Sequence, residues 1–102
     1  MSIRNANVTT VASQIYTSTG NSAVLTIHLC NYSGSAVTAN VFVVPNGSTA
    51  NLLNIIYANT TITSQNTLIT STEKFILGNG DSVYANVSAN VSVAATISYV
   101  GI

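Results

Sequence analysis

Charge is almost missing from this sequence. Its 102 residues include two Lys or Arg and two Asp or Glu, so the formal net charge is zero and 4% of residues are charged. An ordinary soluble domain has roughly a quarter. With no basic patch to neutralise phosphates, electrostatic binding of nucleic acid is not expected. With no run of like charge, an acidic or basic disordered tail is not expected either. Tryptophan is absent, and His28, Cys30 and Pro45 are each the single residue of their type. One cysteine cannot build an intrachain disulfide framework, which suits a chain folded in a reducing cytoplasm. No window approaches the ~18 consecutive apolar residues of a membrane helix, and runs such as Val41–Pro45 are strand-sized. Residues 1–7 carry one positive charge, Arg4, with no apolar stretch after it, so no secretory leader is expected.

Short uncharged polar residues fill the gap. Ser, Thr and Asn together number 40, and the 47% hydrophobic fraction is led by 12 Val and 10 Ile. Six Asn-x-Ser/Thr triplets begin at Asn7, Asn31, Asn46, Asn59, Asn86 and Asn90. Without a leader they read as a product of composition, not as glycan acceptors.

The hydrophobic period is two almost throughout. Odd positions from Val83 to Tyr99 are apolar, whereas the even ones are mostly Ser, Asn or Thr, as in strands with one buried face. So long a run needs a break, expected near Ala89-Asn90. Ala23, Leu25, Ile27 and Leu29 are expected to share one face and Val24, Thr26, His28 and Cys30 the other; Val37, Ala39, Val41 and Val43 repeat the pattern. Turn residues separate these runs at hairpin-like positions: Gly20-Asn21, residues 32–35, Pro45-Asn46-Gly47-Ser48 and Gly78-Asn79-Gly80-Asp81. Leu52, Leu53, Ile55, Ile56 and Tyr57 are spaced for a short helix. The Asn and β-branched content through Thr60–Thr63 favours strand instead, with a break at residues 64–66. The expectation is all-β: a single jelly-roll-like sandwich of about eight antiparallel strands over residues 11–102, preceded by an N-terminal arm over residues 1–10.

Chemistry has little to work with. Glu73 and Asp81, the only carboxylates, lie on either side of one expected strand. Two acids facing each other across a substrate are not implied; Asp81 reads as a turn residue and Glu73-Lys74 as a surface pair. His28 and Cys30, two apart, share a strand face. A nucleophile pair there lacks an orienting acid nearby. A metal site would need ligands from other chains, such as three His28 around a symmetry axis. Gly78-Asn79-Gly80 leads into a strand, not into the helix that a phosphate loop needs. The five tyrosines are scattered, as at sheet edges and seams. No catalytic, cofactor-binding or metal-binding residue is assigned.

The composition asks for neighbours. Solubility usually rests on net charge, and strand edges are usually guarded by lysine; both are missing here. A subunit covered by other copies or partners accounts for the deficit, with contacts that barely depend on salt.

The stretch from Glu73 to Ala89 resembles the C-terminal half of small virion structural proteins of tailed bacteriophages, cyanophage-like ones included. Their pattern K-x-x-L-x-x-G-D-x-[IVL]-x-A-x-[AV]-[SA]-A is met by Lys74, Leu77, Gly80, Asp81, Val83, Ala85, Ser88 and Ala89, and their aliphatic ending by residues 97–102. Ile15-Tyr16-Thr17 and residues 23–31 match the N-terminal half more loosely. Here Ser18-Thr19-Gly20-Asn21 stands where family members often have a Pro-Ala-Gly turn. The resemblance implies a non-enzymatic sandwich protein of the particle. Capsid decoration (cement) comes first, then a neck, tail or fibre component, or a carbohydrate- or receptor-binding module. Together with the composition it leads to the expectation of a homo-oligomer, a trimer, held to the major capsid protein or to tail proteins. Nucleic acid, membrane and cofactor have no part in it, and the location is the virion. The arm Ser2–Thr10, free of turn residues, is expected to reach a neighbouring subunit.

Overall fold

Alternating β-branched and small polar residues leave the backbone one economical choice, and the computed structural model, which describes residues 2–70, 75–89 and 93–102, makes it throughout. Among the described residues nine strands follow one another: β1 (Ser2–Val8), β2 (Ser13–Thr17), β3 (Ser22–Asn31), β4 (Val37–Val44), β5 (Ile55–Ile62), β6 (Thr67–Thr70), β7 (Phe75–Leu77), β8 (Ser82–Val87) and β9 (Val93–Gly101). No helix occurs among the described residues. The short helix that residues 52–57 could have formed is a turn leading into β5.

Two antiparallel sheets pack face to face. One has the order β1-β9-β3-β6, with β7 also on β3; the other runs β2-β8-β4-β5. β6 pairs with Ile27–Cys30 and β7 with Ser22–Val24, so the two lie end to end along one edge of β3, like a single interrupted strand. Counted that way, each sheet has four positions, and the chain changes sheet at every connection except that between β4 and β5, in the order of two Greek keys. This is a jelly-roll sandwich. The smallest molecular extent, 20 Å, is the thickness of two sheets ~10 Å apart with their outer side chains.

The interior is aliphatic. Val24, Ile27, Leu29, Val93, Ala95 and Ile97 from the first sheet meet Ile15, Ala39, Val41, Val83, Ala85 and Val87 from the second. The expected phase holds within each strand: Val83, Ala85 and Val87 are buried in β8, and Val93, Ala95 and Ile97 in β9, while Ala89 between them is exposed. The break between them falls after Val87, but Asn90 lies outside the described residues.

Three expectations are corrected. First, residues 2–8 do not form an arm apart from the sandwich. They are an edge strand, paired with β9 from Ser2↔Tyr99 to Val8↔Val93, because Val8 gains burial at 1% exposure by joining the core. Second, Ala23 and Leu25 do not share a face with Ile27 and Leu29. A bulge between Val24 and Thr26 inserts one residue and reverses the phase, so Val24 points inward and Ala23 outward. Third, Gly20-Asn21, residues 32–35 and residues 78–81 are not hairpin turns, since each carries the chain from one sheet to the other. Turn chemistry says that a chain reverses, not which strand it then meets. A further bulge, between Gln14 and Tyr16, lets the consecutive Ile15 and Tyr16 both be buried.

Candidate functional site

The few ionisable groups are spread out, and each has a local setting. Asp81 closes the turn between β7 and β8. Its Oδ2 accepts from the Gly78 amide at 2.9 Å and its Oδ1 from the Asn46 amide at 2.8 Å. One carboxylate therefore ties two loops at the same end of the sandwich, the turn role expected of it. Glu73 and Lys74 lie outside the described residues. His28 and Cys30 do share the outer face of the first sheet, both half-buried. In register, Thr96 and Ile69 flank His28, and Ala94 and Thr67 flank Cys30. Among the described residues no three His, Cys, Asp or Glu gather as metal ligands would.

A hydroxyl chain sits beside the Asp81 turn. Tyr16 Oη lies 2.8 Å from Ser22 Oγ, Ser22 Oγ 2.8 Å from Ser18 Oγ, and Ser18 Oγ 2.8 Å from the Gly20 carbonyl oxygen. The carbonyl can only accept, and each hydroxyl has one proton. All three contacts are therefore met only if the protons run from Tyr16 to Ser22 to Ser18 to Gly20. Ser18 and Ser22 are each 2% exposed, so this order satisfies buried groups without charge. The Tyr16 ring stacks on Tyr99 at 4.4 Å, which makes these two tyrosines a core seam.

At the opposite end of β3, Asn31 is fully buried. Its Oδ1 accepts from the Ser33 amide and hydroxyl, while Nδ2 donates to the carbonyls of Ser35, Ile62 and Thr63. That side chain pins the crossing after β3 to the end of β5. Its amide is engaged, so the Asn31 triplet is a structural device.

The surface offers more than the ionisable groups do. Between β4 and β5, Leu52 and Leu53 are 83% and 97% exposed. Two asparagines hold them there: the Leu53 amide donates to Asn51 Oδ1, the Asn51 amide to Asn54 Oδ1, and both Nδ2 groups to the Thr49 carbonyl. A loop this well bonded presents its leucines in a set conformation. Ile69 and Ile76 stand out from the first sheet, and Ile3 and Val11 flank its β1 edge. The sequence reading missed Leu52-Leu53. The available signal was two adjacent leucines set between two asparagines.

The architecture places the protein in the class of single jelly-roll β-sandwiches. Comparison goes no further, as no protein-family model matches the chain and no curated protein or solved structure gives a match.

Proposed function

We propose that this chain is a non-enzymatic structural protein of a bacteriophage virion, a capsid decoration protein that binds the assembled particle as a homo-oligomer, a trimer by expectation. The observation that carries the reading is the balance of the surface. Among the described residues nine large hydrophobic or aromatic ones are exposed, from Ile3 and Val11 to Leu52, Leu53, Ile69 and Ile76, on a chain with four formally charged residues. Scattered exposed hydrophobics are ordinary on a charged protein. Here no field of like charge keeps copies apart, so covering these positions by neighbours is favourable. The bacteriophage setting comes from the residue pattern over 74–89, and single jelly rolls are a common capsid architecture.

The same fold serves lectins, so fold alone does not separate decoration from glycan binding. The tyrosines favour decoration. Tyr16 and Tyr99 are stacked against the core, Tyr57 and Tyr84 are half-buried, and Tyr32 alone is strongly exposed, whereas a sugar platform needs several open rings.

The test is the purified particle. Mass spectrometry and electron cryomicroscopy are expected to find the protein in many copies on the outer capsid lattice. Particles made without it should assemble and then lose their contents at lower temperature. Absence of the chain from purified particles would overturn the reading.

A further inference from the structure

We propose that β1 is exchanged between copies of this chain, residues 2–8 of one copy completing the first sheet of the next by pairing with its β9. The inference deepens the homo-oligomer proposed above and rests on that part of it.

The attachment of β1 is mainly main-chain. It pairs with β9 through seven consecutive register positions from Ser2↔Tyr99 to Val8↔Val93. Of its side chains, Val8 is buried and Ala6 half-buried, and the other five are exposed. A backbone ladder does not depend on which copy supplies the strand, and the β9 of a second copy offers the same register and the same place for Val8. A strand holding so few buried side chains is also among the first elements to open. Once open, it leaves β9 with an unpaired edge, which an identical strand fills best.

The connection suits exchange as well. β1 joins β2 through residues 9–12, which cross from one sheet to the other and carry the Thr9 carbonyl that accepts from the Val87 amide at 2.9 Å. In that short crossing Val11 is 71% exposed, so straightening it gives up little burial. Exchanging an identical element between copies is a low-cost route to an oligomer.

The competing use of β1 is edge-to-edge pairing with the β1 of another copy. Antiparallel pairing centred on Asn5 would set the two Arg4 side chains diagonally on one face, like charge against like. Exchange leaves Arg4 in the surroundings it has now. It also links subunits head to tail as well as in reciprocal pairs, so it is compatible with a closed ring.

The test uses the full chain with Cys30→Ser as background. Thr96 Oγ1 donates to Asn5 Oδ1 at 3.0 Å, so Asn5→Cys and Thr96→Cys place two sulfurs within bonding reach across β1 and β9. The two single-cysteine chains, differently tagged, are co-expressed and oxidised. Exchange predicts a disulfide-linked dimer carrying both tags and lost on reduction. It also predicts that differently tagged Asn5→Cys chains do not link to each other. If they do link, and the mixed pair does not, edge pairing replaces exchange. The double variant Asn5→Cys/Thr96→Cys in one chain is the control. An intrachain bond there, with no mixed dimer, overturns the proposal, and so does failure to form any bond. Sedimentation of that same sample separates the two readings. Oligomers with only intrachain bonds refute exchange and keep the homo-oligomer; monomers throughout refute both.

Discussion

Gly80 shows how tightly one position can be specified. Its φ is +86°, and a Cβ there would come within 2.6 Å of the Asn46 side chain. Gly80→Ala therefore combines left-handed strain of about 1–2 kcal/mol with displacement of Asn46. Calorimetry should show a Tm lower by roughly 4–8 °C for each kcal/mol in a domain of this size. Asp81→Asn tests the neighbouring tie. An amide has one acceptor oxygen, so it cannot receive both the Gly78 and Asn46 N–H groups on separate oxygens. A loss of about 1–2 kcal/mol in urea unfolding is expected, at the lower end for charge-assisted bonds because the Asn46 contact is exposed. Asn31→Ala should cost at least as much, about 1–3 kcal/mol, since it strands the Ile62 carbonyl in a buried setting. Full stability in either of the last two variants would mean that these loops are held by something else.

At the scale of elements, stability and recognition separate. Leu29 of β3 is wholly buried, and Leu29→Ala should lose about 2–5 kcal/mol by leaving a cavity between the sheets. Leu52 and Leu53 face water, so Leu52→Ser/Leu53→Ser should change stability by no more than about 0.5 kcal/mol. If that loop meets the particle, the same pair of substitutions should sharply lower occupancy on capsids stripped of the protein and then reconstituted. Unchanged occupancy would move the contact elsewhere on the molecule. Much at this scale is readable in advance. The alternation in residues 83–97, the turn at 78–81 and the break at 64–66 all follow from local chemistry. The bulges at Leu25 and Ile15 do not. A bulge is set by how two strands fit over a curved core, and the local pattern Ala23-Val24-Leu25 reads equally well in either phase.

For the whole molecule, the scarcity of charge makes a prediction about the proposed self-association. Self-association driven by apolar and neutral polar contacts is hardly screened by ions. The sedimentation profile should therefore be the same in dilute buffer and in about 1 M salt, where the Debye length has shrunk to roughly 3 Å. Dissociation on adding salt would show that the four charged residues organise the assembly after all. The candidate surface was less readable than the fold. A strand exposed on both faces, like residues 2–5, looks in sequence like an arm. Whether it lies on its own β9 or on another is a question of partners, and the residue pattern is the same for both.

Composition and period two were enough to determine an all-β chain, the alternation of several of its strands and the scarcity of charge, because these depend on each residue and its near neighbours. The tertiary structure decided the jelly-roll order, the reversal of phase at the bulges, the incorporation of residues 2–8 and the exposure of Leu52 and Leu53. Those depend on which strand lies beside which, and that pairing is set by the joint burial of two faces, a property no single segment carries.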